Sequence, residues 1–143
     1  IETSGARRQE EEQQAPVPAP APDPALMAQV QKYRDDAKAG QSAFETALPG
    51  TEQKVRAASG AAVDSEVWVD AQQAVSSLDA SRTATVSALA SLDVMYIDRL
   101  NAIADGTAAG GDTDIDSARR VALSLVDAQN DRLDAIKARL PLP

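Results

Sequence analysis

Apolar residues recur along most of this chain at steps of three and four, the spacing that puts them on one face of a helix. Leu26, Val30, Tyr33, Ala37, Gly40, Phe44 and Ala47 form the first such seam. Asp23 is a good N-cap and Pro24 suits the first helical turn, so the pattern predicts a helix over 24–48. Gly40 interrupts the seam as a weak spot or a place of close approach. Pro49-Gly50 should end or kink this helix. Thr51 would then cap a short helix near 51–59 that offers Val55 to the core. A second seam runs Trp68, Ala71, Val75, Leu78, Arg82, Thr85, Leu89, Leu92, Tyr96, Leu100 and Ile103. It predicts one helix over 65–104, a rod of roughly 60 Å, with Arg82 and Thr85 breaking the apolar line. Val86 sits one position off, and a local shift of the seam would bury it instead. The third seam is Ile115, Ala118, Ala122, Leu125, Gln129, Leu133, Ile136 and Leu140, a helix over 114–140 stopped by Pro141. Glycines make 105–112 a loop.

No stretch alternates as a strand would. Three long helices with short connections point to an all-α fold: an elongated antiparallel three-helix bundle with coiled-coil-like seams over residues 24–143. A helical hairpin that dimerises into a four-helix bundle is the rival.

Residues 1–23 read differently. "RRQEEEQQ" is charged and amide-rich, and "APVPAPAPDP" sets proline at every second position from Pro16 to Pro24. Prolines fix φ and remove backbone donors, which favours a disordered, polyproline-type tether reaching roughly 30 Å. Such a spacer suits a signal peptide, lipid anchor or transmembrane helix upstream of Ile1. Arg7-Arg8 argues the other way, toward a cytoplasmic location, by the positive-inside rule.

Composition removes whole classes of function. With no cysteine and no histidine in 143 residues, thiolate nucleophiles, Cys/His zinc sites and Ser-His-Asp relays are excluded. A net charge of −8 opposes binding to nucleic acid or anionic lipid. The most apolar stretch, "VSALASLDVMYI" (86–97), is shorter than the roughly 18 residues a span needs and contains Asp93. Alanine supplies much of the apolar content, so the core should be thin.

Few residues invite a chemical reading. Trp68, the sole tryptophan, is either an exposed anchor for a partner or the first residue of the packing seam, and its register favours the seam. Asp112, Asp114 and Asp116 resemble the start of a calcium loop. Ser117 and Leu123 stand where such a loop needs Gly and Glu, so helix capping by Thr113 with Asp116 is the expectation. Arg82 should lay its stem over the core, keep its head in water and approach Asp79, although a carboxylate ligand is the alternative. Asp93 and Asp98 lie about 140° apart on a helix and do not form a catalytic pair. Glu10, Glu11 and Glu12 are a solvated run. No catalytic, cofactor-binding or metal-binding residues are assigned.

"SEVWVDAQQAVSSLDASR" and "MYIDRL", together with the Pro/Ala spacer, resemble uncharacterised proteobacterial membrane-anchored or periplasmic helical proteins. The resemblance covers about the middle third of the chain; it implies an all-α fold and a periplasmic or envelope location, and carries no activity. The expectation is a non-enzymatic structural or protein-interaction module, meeting a protein partner or its own copies along helical faces. Two alternatives are a carrier that holds a lipid or other apolar ligand between its helices, and a carboxylate enzyme using a divalent metal.

Overall fold

A computed structural model describes residues 23–143; the expected tether lies outside the described residues except for Asp23. All regular structure among these residues is helical, with no strand. The helices are α1 (Pro24–Ala58), α2 (Glu66–Ser81), α3 (Thr83–Ala104) and α4 (Asp112–Lys137).

The N-terminus of α1 forms as its sequence predicts, with Asp23 accepting a 3.0 Å hydrogen bond from the Ala25 amide. Its C-terminus does not. Pro49 lies inside a single 35-residue helix, so the separate helix near 51–59 does not exist. Proline in a helix interior costs about 3 kcal/mol. Packing outweighs it, because Phe44, Thr51, Val55 and Ala58 continue one buried face through the proline. Thr51 caps nothing: it is buried, and its hydroxyl donates to the Ala47 carbonyl at 2.9 Å.

The single helix expected over 65–104 is two. Ser65 caps α2 by accepting from the Trp68 amide. The ladder then tightens at Arg82 (φ −92°, ψ 5°), where the Arg82 and Thr85 amides reach back only three residues, to the Asp79 and Arg82 carbonyls. Side-chain hydroxyls serve carbonyls freed at this joint: Ser81 donates to Leu78 at 2.6 Å and Thr83 to Ala80 at 2.7 Å. Short hydroxyl side chains compete with the helical ladder in this way and often mark a break.

Contacts fix the directions of the rods. Thr51 lies beside Ala74, Ala37 beside Thr85, and Leu26 beside Gly111 and Arg99, so α2 and α3 run antiparallel to α1. Gln41 meets Gln129 and Glu52 meets Arg132, so α4 runs parallel to α1. Two apolar clusters fill the interior. One gathers Phe44, Val55, Ala58, Ala71, Val75, Leu78, Leu133, Ile136 and Leu140 around α2. The other gathers Val30, Ala37, Ala88, Leu92, Ile115, Ala118 and Ala122 around α3.

On α4 the expected seam is followed closely, although the helix runs 112–137 instead of 114–140. The reason is Gly111, whose φ of 84° turns the chain into the helix before Thr113 can cap it. A Cβ there would also lie 2.6 Å from Leu26 Cδ2, a side-chain end that can move aside, so the positive φ is the stronger demand for glycine.

Candidate functional site

Between the two apolar clusters lies a polar belt. Thr85 is fully buried; its hydroxyl donates to the Ala37 carbonyl at 2.8 Å and accepts from the Gln129 amide at 3.3 Å. That amide also donates to Gln41 at 2.8 Å. Gly40 sits against Thr85 so closely that a Cβ would lie 2.5 Å from the Thr85 backbone nitrogen. The sequence expectation of close approach at Gly40 holds, whereas burial of Val86 by a seam shift does not. Thr85 goes in because its hydroxyl has partners there, and Val86 stays 41% exposed.

Arg82 forms the expected contact with Asp79, Nε to Oδ1 at 3.2 Å. Its head is not in water, however: the side chain is 14% exposed and Nη1 is buried without a protein partner, as is Gln129 Oε1. Burial of an unpaired donor is costly.

Trp68 is half-buried at the start of α2, where its indole donates to the Pro141 carbonyl at 2.8 Å. It pins the segment after α4 to the base of α2 instead of entering the core seam. Tryptophan N–H groups take such partners when partly buried. Asp116 binds Arg119 and Arg120, each at 2.9 Å, so the capping box with Thr113 does not form. The Asp116 hydrogen bond holds the Arg119 guanidinium above its ordinary pKa, and Arg119 also reaches Asp93 at 3.5 Å and the Tyr96 ring at 5.2 Å. Asp93 is thus tied to α4, apart from Asp98, which lines a groove on the opposite flank of α3. Among the described residues, no group of three or more acidic side chains is placed to hold a metal ion.

Sequence reasoning missed the outer side of α3. Val86, Val94, Ile97 and Leu100 are 41, 59, 58 and 40% exposed, and with exposed Ala90 they form a stripe at helical spacing. Beside it, α1 and α3 enclose an open groove of about 660 Å³ lined by Leu26, Gln29, Tyr33, Val94, Met95 and Asp98, among others. α3 thus carries an apolar stripe toward solvent as well as one toward the core, with Asp93, Asp98 and Arg99 at its flanks, and a contiguous exposed apolar patch marks an interaction surface. The signal was legible: "VSALASLDVMYI" holds more apolar residues than one face accommodates.

With this geometry in hand, comparison with protein-family models, curated proteins and solved structures finds no match for the chain.

Proposed function

We propose that this chain is a non-enzymatic interaction module: an elongated up-down-up bundle of three rods, α2 and α3 together forming one, that presents α3 to a protein partner. The observation carrying this reading is the exposed apolar stripe of α3 with its flanking groove. Fully burying a Val, Ile or Leu side chain contributes about 1.5–3 kcal/mol. The four stripe residues are already about half covered, so about 3–6 kcal/mol remains to be gained. Association costs at least about 4 kcal/mol in lost freedom, so a useful partner must enter the groove as well as cover the stripe. The Pro/Ala-rich segment ahead of Asp23 would act as spacer, and the sequence resemblance supports an envelope location.

The absence of cysteine makes this testable with single-cysteine variants. Val94→Cys should react with a maleimide several-fold more slowly in native-host extract than in dilute purified protein. Asn130→Cys, exposed on α4, should react equally in both. Equal reactivity of Val94→Cys in the two settings would defeat the proposal.

The groove itself favours a second reading, that of a carrier for an apolar ligand lying against Leu26, Tyr33 and Met95. Native mass spectrometry after mild purification should then reveal a retained ligand of constant mass, which the interaction reading does not require.

A further inference from the structure

Resting on the interaction reading, we propose that the partner is a second copy of this chain. The α3 helix of each copy would lie antiparallel in the groove formed by α1 and α3 of the other.

Charge is the first argument. The chain carries −8, so two copies repel over most of their surfaces. The outward line of α3 through Thr83, Val86, Ala90, Val94, Ile97 and Asn101 holds no charged residue. Of the charges nearby, Asp93 pairs with Arg119 and Arg99 donates to the Gly110 carbonyl at 2.7 Å, while exposed Asp98 lines the groove. Copies meeting along this line therefore oppose few like charges, chiefly Asp98, and salt screens that repulsion.

Self-complementarity is the second. A two-fold contact requires that if residue i meets j, then j meets i. Leu100 sits at the edge of the stripe; the outward line from Thr83 to Asn101 that carries Val86, Ala90, Val94 and Ile97 is centred on Leu92. Antiparallel packing about that centre sets small Ala90 against Val94 of the second copy, and Val86 against its Ile97. Small therefore faces large at the axis, where the helices approach most closely.

The third argument is area. From Val86 to Leu100 the stripe is about 21 Å long, and a helix about 10 Å wide covers only a few hundred Å² of it per copy. Stable complexes bury roughly 800 Å² per partner. Seating each α3 in the adjoining groove adds Leu26, Tyr33 and Met95 and brings the contact toward the weak end of that range. The dimer is accordingly a weak one, populated where the protein is concentrated.

Sedimentation equilibrium of the full chain from about 10 to 500 μM, at low and high salt, tests the proposal. The dimer fraction should rise with concentration, and association should tighten several-fold at high salt, because salt screens repulsion between acidic copies. In an oxidised mixture, Ala90→Cys and Val94→Cys chains should form the mixed disulfide in preference to either homodisulfide. Val94→Asp with Ile97→Asp should abolish the dimer while leaving the melting temperature of the monomer unchanged. A monomer at every concentration and salt overturns the proposal, as does a dimer indifferent to the double substitution or one joined mainly through Val94→Cys homodisulfides. If the protein stays monomeric but Val94→Cys is still protected in extract, the interaction reading survives and the second copy is the wrong occupant. If that protection is also absent, both fall.

Discussion

The half of the molecule around α2 and the half around α3 are built from the same helical rhythm but filled differently. The α2 half buries Phe44, Leu78, Leu133, Ile136 and Leu140, and alanine is a minor contributor. In the α3 half four of the seven buried residues are alanine: Ala37, Ala88, Ala118 and Ala122. Alanine permits close helix contact but removes little apolar surface from water. The exposed valines and isoleucine of the α3 stripe lie on this same half, on the far side of its helix. Large side chains within make a self-sufficient half. Small ones within, with large ones outside, make a half that docking along α3, as proposed, would stabilise further.

Paired truncations test that contrast most directly. Leu78→Ala should lower unfolding free energy by an amount near the upper end of about 2–5 kcal/mol, since Leu78 is fully buried among Phe44, Leu133 and Ile136 and its loss leaves a cavity they fill only in part. Leu92→Ala, equally buried but set among alanines, should fall near the lower end. Equal losses in chemical denaturation would erase the distinction between the halves.

At the boundary, Gly40→Ala should destabilise by about 1–3 kcal/mol, because the new Cβ meets the Thr85 backbone nitrogen as well as its hydroxyl, and the backbone cannot move aside cheaply. Helix propensity alone would give a gain of about 1 kcal/mol, so the sign of the change decides whether the close approach is real. Thr85→Val removes the hydroxyl while keeping its shape, leaving the Ala37 carbonyl and one Gln129 donor bond unmade. A loss of about 1–2 kcal/mol is expected, and a neutral result would dissolve the belt as a stabilising layer. Smallest of the set, Leu89→Ala should cost only about 1 kcal/mol, since Leu89 is partly exposed where the seam pattern had it buried. A loss as large as that of Leu92→Ala would mean that α3 is rotated from the orientation described.

Much of this was legible in the sequence. The buried face of α4 follows the sequence pattern from Ile115 to Ile136, including polar Gln129, because long amphipathic rhythm survives local irregularity. Pro49 misled for the opposite reason. A strong local rule was given precedence over the step of four and three that Thr51, Val55 and Ala58 keep beyond it. The joint at Arg82 shows in the pattern only as the polar interruption at Arg82 and Thr85, and because the seam resumes in register beyond it, one continuous helix fits equally well. Partners were harder still to read. Nothing in the order of residues said that Thr85 would find the Ala37 carbonyl, or that Trp68 would reach Pro141.

The belt has a consequence for how the rods stay aligned. Alanine-lined surfaces are smooth, and one such helix can slide past another by a turn with little change in the side chains that meet. The Gln41–Gln129–Thr85 link forbids that shift. Moving α4 by one turn in either direction would strand the Gln129 amide against hydrocarbon and leave Gln41 and Thr85 facing an aliphatic neighbour. A single buried carboxamide thus acts as the detent of the assembly, fixing one alignment among several that hydrophobic contact alone would tolerate.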